Sequence, residues 1–261
     1  MATEMLIIDL FCRVDDQTQD LAKHPQAKLY PSEVITLALL FAIKGVGNRA
    51  YYDWLLNDWQ HLFPNLPHRT RLFRLFLSHQ HATIRFLAEK SVLGIIDSYG
   101  IELIHPIREG RSPAQIGKKG KSNYRWIVGG KLCLLINQWG LIVDWDCDTA
   151  NVHDTTFHPL IKQVQSDMVV FADVGFQKVQ DNPENLKICP RGTWNERMVV
   201  ETILSMMTLV WHFKKVMHRV WNYFAMRLAF TMAAFNIMVQ WHGFKPDKDG
   251  FINLAIAHFR I

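Results

Sequence analysis

Residues 91–97 read Ser-Val-Leu-Gly-Ile-Ile-Asp, a short apolar run that ends in an acid. Its Val, Leu and Ile residues are typical of a buried β-strand. The run also marks a change of pattern, because residues 1 to about 90 have helical periodicity throughout. We therefore predict that a helical N-terminal region ends near residue 90 and that a domain containing a β-sheet begins there.

Downstream of Asp97, strand-like and helix-like segments alternate. The predicted elements are, in order, strands over 126–137 and 141–147 joined by a turn at 138–140, a helix over 151–165, strands over 167–173 and 186–189, and helices from 194 to about 241. This order predicts an α/β fold in which helices flank a mixed sheet. The basic run KKGKS at 118–122 is predicted to be a loop.

Upstream of residue 91, three helices can be placed by their caps and by their apolar periodicity. Ser32 is the predicted cap of the first, Gly45 follows its last residue, and Thr70 is the predicted cap of the third. In the third helix apolar residues alternate with three arginines, Arg69, Arg71 and Arg74. Such a basic face either grips DNA phosphates or is an ordinary solvated surface.

The composition excludes several classes of protein. The chain has 261 residues, of which 49% are hydrophobic and 20% charged, so it is not disordered. Its net charge of +5 permits a polyanionic partner. The four cysteines form no CxxC pair, the N-terminus carries acids where a signal peptide needs basic residues, and the most apolar windows are too short or too interrupted to cross a membrane. We expect a cytoplasmic protein that does not contact a membrane.

Two aspartates occupy equivalent positions, since Asp97 and Asp173 are each predicted to end a buried strand. A buried carboxylate costs several kcal/mol unless it is compensated. The pair therefore favours a cation between them, although each aspartate would also suit the cap of a following turn.

A third acid, Glu201, lies within a predicted apolar helix, one turn after Arg197. The two side chains are spaced to form a surface ion pair. Glu201 can equally join Asp97 and Asp173 around divalent cations, because carboxylates from three elements suit Mg²⁺. Two such ions would support phosphoryl transfer.

The same residues resemble the DDE transposases of bacterial insertion sequences. IIDSYG carries Asp97, VFADVGF carries Asp173, and Trp194, Arg197 and Glu201 fit an aromatic-x2-Arg-x3-Glu signature. Further similar stretches are LFCRVDD, RAYYDWL, GKLCLLINQWGLIVDWD and NVHDTTFHPLI. The sequence departs from the family pattern at Val174 and Thr208, where lysine is usual.

The resemblance implies a ribonuclease H-like catalytic domain and an enzyme that cleaves transposon ends and joins the 3′-hydroxyl to target DNA. It implies that Asp97, Asp173 and Glu201 hold two Mg²⁺ ions, with Mn²⁺ as a substitute, and that Arg197 assists catalysis. We divide the chain into a helical region at 1–90 that is a candidate for binding DNA ends, a catalytic domain at 91–242 and a tail at 243–261.

Basic residues are concentrated where DNA would be held. Seven lie between 105 and 131 against one acid, Glu109. The partners expected are the terminal inverted repeats and target DNA, bound by a homodimer. Besides the three arginines at 69–74, the predicted DNA-binding residues are Lys118, Lys119, Lys121, Arg125, Trp194, Lys214 and Lys215.

Several alternatives remain open at this point. Asp144, Asp146 and Asp148 alternate along one strand as a rival acidic site, with Asp144 and Asp148 expected at the surface. The histidines show no zinc spacing. A defective copy that binds DNA without cutting it, a ribonuclease H-like nuclease, and a helical scaffold whose acids are structural would share much of the pattern.

Overall fold

The fold is given by a computed structural model that describes most of the chain. The described residues are 2–122, 125–190, 197–213 and 218–241, with the single residues 243, 248, 254, 256, 259 and 261.

The N-terminal region is helical, as predicted, and it contains four α-helices where three were placed from the sequence. They are α1 (Thr3–Thr18), α2 (Pro31–Lys44), α3 (Asn48–Asp58) and α4 (Arg69–His79), followed by a 3-10 helix over Gln80–Phe86. The two predicted N-caps are each wrong by two residues. Tyr30 is the N-cap of α2, and its backbone N–H donates to Glu33 Oε2 at 2.7 Å, while His68 is the N-cap of α4. Gly45 ends α2 in the left-handed conformation, as expected for a C-terminal glycine.

Six strands form one mixed sheet. They are β1 (Leu93–Ile104), β2 (Lys118–Ser122), β3 (Arg125–Asn137), β4 (Ile142–Thr149), β5 (Val169–Ala172) and β6 (Leu186–Ile188). The strand β3 pairs antiparallel with β1, with β2 through its first five residues and with β4 through the remainder. The strands β1, β5 and β6 are mutually parallel neighbours. The predicted fold class is confirmed, and the sheet is consistent with the ribonuclease H-like fold.

Three predictions within this domain are wrong in detail. Asp97 does not end β1, which continues to Ile104 because residues 98–104 also pair with β3. The KKGKS run is the strand β2 rather than a loop, since lysines suit the exposed side chains of an edge strand. The helix predicted over 151–165 is divided into a 3-10 turn, Asp154–Phe157, and the short helix α5, His158–Lys162.

Helices cover both faces of the sheet. The last two long helices are α6 (Arg197–Trp211) and α7 (Trp221–Val239). One apolar cluster joins them and the N-terminal helices to the sheet face that carries Ile95 and Leu134. A second cluster packs α5 against the opposite face, which carries Ile96 and Leu135. This alternation along β1 and β3 is the two-residue period of a strand that is buried on both faces.

No single helix among the described residues is long and apolar enough to cross a membrane. The helices α2 and α3 satisfy length and composition only as a pair, and a bend of 115° separates them.

A buried amide on α7 fixes this helix to the sheet. Asn236 is fully buried, and its Oδ1 accepts a hydrogen bond from the Ile142 backbone N–H at 2.9 Å. Its Nδ2 donates to the carbonyl oxygens of Ile142 at 2.7 Å and Phe86 at 3.0 Å. Asn236 thereby satisfies backbone groups at the start of β4 and at the end of the 3-10 helix.

We predict that Asn236→Ala lowers the free energy of unfolding by about 2–4 kcal/mol, because three buried hydrogen bonds to the backbone of Ile142 and Phe86 are lost. Denaturant unfolding of the full chain measures this. Asn222→Ala, at an exposed position of α7, should change it by no more than about 0.5 kcal/mol. Equal effects of the two substitutions would contradict the role given to Asn236.

A buried histidine makes stability depend on pH. Burial first, and the positive charge of Arg227 second, lower the pKa of His218 to about 4. The neutral ring is therefore favoured in the folded state. We predict that stability present above about pH 6.5 is lost as the pH falls toward 4, by roughly 3 kcal/mol at most from this group. In denaturant titrations at a series of pH values, His218→Gln should reduce the loss of stability between about pH 6.5 and 4. An unchanged pH profile would contradict this role of His218.

Candidate active site

Three aspartates meet in one small polar cavity of about 140 Å³. Asp97 comes from β1, Asp173 follows β5 directly, and Asp154 begins the 3-10 turn before α5. Two lysines, Lys121 of β2 and Lys131 of β3, line the same cavity. The other lining residues are Ser98, Gly100, Ser122, Ile127 and Ala150.

Strand register brings Asp97 and Asp173 together. In the parallel pairing of β1 with β5, Ile95 is opposite Phe171, and each aspartate lies two residues further along its strand. Since side chains alternate between faces, both carboxylates leave the sheet on the same side. The strand β5 ends at Ala172 whereas β1 continues, so the pairing stops beside Asp97. The cavity lies at this point, where open sheets place their ligands.

The carboxylates are held locally by backbone groups. Asp173 Oδ1 accepts from the Gly175 N–H at 2.8 Å and so caps the turn over Val174–Phe176. Asp97 Oδ1 accepts from the Ser98 N–H at 2.8 Å. The turn-capping alternative is therefore confirmed for Asp173. It does not compete with a role in the cavity, because the same carboxylate lines it.

Asp154 is fixed by a charged partner. The Lys131 ammonium lies 3.0 Å from Asp154 Oδ1, with side chains that are 15% and 23% exposed. The Ser98 hydroxyl donates to the same oxygen at 2.5 Å. An ion pair with this much burial has a fixed geometry that exposed pairs lack. Lys131 therefore both neutralises one aspartate and brings a positive charge to the cavity wall.

The charges of the cavity also act on a buried cysteine of the neighbouring core. Cys133 is fully buried next to this site, and burial raises the pKa of its thiol well above its ordinary value, with Asp97 and Asp154 adding to the shift. The thiol is therefore uncharged at neutral pH.

Sequence reasoning missed Asp154 and Lys131 as members of the site. Asp154 lies in the segment predicted to be a helix over 151–165, and Lys131 is one of the seven basic residues between 105 and 131. The stretch NVHDTTF contains the signal that could have found Asp154, because an acid at the start of a turn after a strand can face the sheet edge. The pairing with Lys131 depends on tertiary structure.

The predicted third acid, Glu201, is on the surface of α6 and does not line the cavity. The helix α6 packs on the face of the sheet that carries Ile95 of β1, because Val200 and Ile203 share an apolar cluster with that residue. Thr208, where the family pattern has lysine, donates its hydroxyl to the Leu204 carbonyl within α6 at 2.6 Å. The structure therefore unites Asp97 and Asp173, while the role of Glu201 stays a prediction.

The rival acidic row on β4 does not form part of this cavity. The side chains of Asp144, Asp146 and Asp148 each accept a hydrogen bond from the backbone N–H of the next residue, at 2.6–2.8 Å. Asp144 and Asp148, expected at the surface, are half-buried, and Asp146 is exposed. Burial raises the pKa of Asp144, as it would for a carboxylate without a cationic partner.

The predicted DNA-binding residues lie in several places. Lys121 reaches the cavity itself. Lys119 and Arg125 are engaged by acids, with Lys119 Nζ 3.1 Å from Glu109 Oε2 and Arg125 Nη1 3.6 Å from Glu102 Oε2. Arg69 is half-buried, and the other described residues of the set are exposed, namely Arg71, Arg74, Lys118, Lys119, Lys121 and Arg125. Trp194, Lys214, Lys215 and the side chain of Arg197 lie outside the described residues.

The donor set suits a divalent cation by its chemistry. Asp97, Asp154 and Asp173 offer carboxylate oxygens, which Mg²⁺ and Mn²⁺ prefer. Within the described part of the chain, however, no group of three or more His, Cys, Asp or Glu side chains is arranged to hold a metal ion.

The fold and the cavity together define a class of protein, an α/β domain in which two neighbouring strands of the sheet bring a pair of acids together. Residues 87–182 match the family model of the transposase DDE domain. This segment begins just before β1 and includes all three aspartates of the cavity. Residues 87–182 are thus similar to the transposase DDE domain, in agreement with the family resemblance of the sequence motifs. No curated protein and no solved structure matched the chain.

Gly175 provides a test of how closely the acids must be packed. A Cβ built on Gly175 would lie 2.6 Å from Asp154 Oδ2 and 2.9 Å from Asp173 Oδ1, too close for an unchanged site. We predict that Gly175→Ala displaces these side-chain ends and lowers DNA strand cleavage at least tenfold. Its free energy of unfolding should change by less than about 1 kcal/mol, because carboxylate ends move easily.

Gly110→Ala is the matched control. A Cβ at Gly110 meets nothing, but its φ of 72° disfavours alanine. This variant should lose about 1 kcal/mol of stability and keep wild-type cleavage. Normal cleavage by Gly175→Ala would show that the spacing at the acids is not critical.

Proposed function

We propose that this chain is an insertion-sequence transposase that cleaves transposon DNA ends and joins the freed 3′-hydroxyl to target DNA. The observation that carries the proposal is the meeting of Asp97 and Asp173 in one cavity, within the segment that matches the transposase DDE domain. The setting we propose is the nucleoid-associated cytoplasm of a bacterium, with a homodimer bound to two DNA ends.

Asp97 and Asp173 are the proposed ligands of two divalent cations, and Glu201 of α6 is the proposed third ligand. When bound, these ions would stabilise the attacking and leaving oxygens at phosphorus. The two aspartates are suited to this role because backbone N–H groups already orient one oxygen of each. Arg197, one turn before Glu201, is proposed to steady this acid or a phosphate.

The lysines of the cavity are proposed to position the DNA strand. Lys121 and Lys131 line the same cavity as the three aspartates, so that the cavity offers positive charge for a phosphate as well as carboxylates for a cation. Lys131 is held at 3.0 Å by Asp154 and stays in place before DNA arrives. Such preorganised charge is more effective than charge that must be oriented during the reaction.

We predict that Asp97→Asn and Asp173→Asn reduce DNA nicking and strand transfer at least a hundredfold while leaving DNA binding within about twofold, because the amides keep the shape but lose the charge. The assay uses the purified full chain, Mg²⁺ or Mn²⁺, and DNA that carries the terminal inverted repeats of the element. Asp146→Asn, an exposed aspartate on the same sheet outside the cavity, is the matched control and should behave as wild type.

The same assay separates the other candidate functions. End-specific binding without nicking by the wild-type protein would indicate a defective transposase. Cleavage without end preference would indicate a ribonuclease H-like nuclease. Unchanged Mg²⁺ affinity with lowered stability in the two asparagine variants would indicate that the acids are structural.

A further inference from the structure

A second, larger cavity lies between the N-terminal helices and the start of α7, and its lining is strongly basic. Its volume is about 1100 Å³. Four arginines line it, Arg49 of α3, Arg69 of α4, and Arg219 and Arg227 at the start of α7, together with His218. No Asp or Glu is among the described residues that line it. Nothing in the reaction proposed above uses this cavity.

Arg227 is the most deeply buried of these cations, and it is the main reason to expect a bound anion in the cavity. Arg227 is 5% exposed. Burial lowers the pKa of its guanidinium to about 10, so the group remains protonated at neutral pH. Its Nη1 donates to the Val46 carbonyl at 2.9 Å, and its guanidinium lies 4.5 Å from the centre of the Phe41 ring. No carboxylate pairs with it among the described residues. A buried guanidinium without an anionic partner is costly, so a bound anion would be favoured here.

The backbone adds further positive potential. The helices α3 and α7 both begin at the cavity. Their N-cap residues, Gly47 and Val220, have no side-chain acceptor for the N–H groups of the first turn. The N–H groups of an uncapped first turn attract anions. His218 is 9% exposed, lines the cavity, and has no hydrogen-bond partner for its Nε2 within the described structure.

We propose that this cavity binds the phosphate backbone of DNA, with one phosphate against Arg227 and its neighbours against Arg69 and Arg219. The inference rests on the proposed function, because a transposase must hold DNA away from its cutting site as well as at it. The cavity is much larger than one phosphate group, and its rim is basic. Arg219 is exposed, and Arg49 is 84% exposed with a 3.9 Å pair to Asp53. A chain of phosphates fits this distribution of charge better than a single small anion.

The test measures the affinity of the full chain for duplex DNA as a function of salt, without divalent metal. For wild type, the logarithm of the affinity should fall steeply with the logarithm of the salt concentration. The double variant Arg69→Gln, Arg219→Gln removes two phosphate contacts, so the slope should become shallower by about 2 and the affinity should drop at least tenfold. Lys162→Gln, Lys178→Gln removes the same charge from exposed positions elsewhere and should keep the wild-type slope.

Three outcomes would overturn the proposal. The first is a wild-type slope in the arginine variant; if that variant also cleaves normally, the transposase function stands and this inference fails. The second is an equal loss in the lysine control, which would indicate an effect of net charge. The third is stabilisation of the wild type by pyrophosphate, lost in the arginine variant, with no DNA binding, which would indicate a small-anion site.

Failure of the proposed function gives a different result. A wild type that never cleaves, yet binds DNA with a slope that depends on Arg69 and Arg219, would retain this inference and remove the transposase activity. Arg227→Lys keeps the buried charge but loses the planar donor group. It should weaken DNA binding several-fold and also lower the stability, because the contacts of the guanidinium with Val46 and Phe41 are lost, so binding is compared under conditions where denaturant unfolding shows this variant to be fully folded. Wild-type DNA affinity in Arg227→Lys would show that no DNA phosphate is bound against Arg227.

Discussion

The short parallel pairing of β1 with β5 is the constraint on which the site depends. Three residue pairs, from Leu93 with Val169 to Ile95 with Phe171, fix the relative register of two strands that are far apart in sequence. A shift by one residue would turn Asp173 to the opposite face from Asp97. The register is specified by apolar residues that are buried on the two faces, Ile96 and Val170 under α5 and Ile95 under the long helices.

That same burial explains why the acids need partners. A carboxylate at the edge of an apolar core is tolerated when hydrogen bonds and opposite charges compensate its lost hydration. In the cavity the compensation comes from different sources, which include backbone N–H groups for Asp97 and Asp173 and a lysine for Asp154. An acidic centre beside two lysines is an arrangement that suits cations and phosphates together.

Much of this could be predicted from the sequence, where local patterns were strong. The order of strands and helices, the hairpin before β4 and the pairing of Asp97 with Asp173 followed from apolar runs and turn residues. The strand β2 could not be predicted, because it is held by backbone pairing to β3 and its side chains look like a loop. Asp154 and the basic cavity at Arg227 were also missed, since both depend on contacts between segments distant in sequence.

The helix α7 connects the two charged cavities. Its N-terminal half contributes Arg227 to the basic cavity, and about two and a half turns later Asn236 is hydrogen-bonded to β4. The strand β4 in turn pairs with β3, which carries Lys131 into the acidic cavity. Because every link is a buried hydrogen bond or a strand pairing, the two cavities are held at a fixed separation. A DNA backbone anchored in the basic cavity would therefore meet the aspartates at a set distance along its length, so that the position of the cut would be determined by the fold.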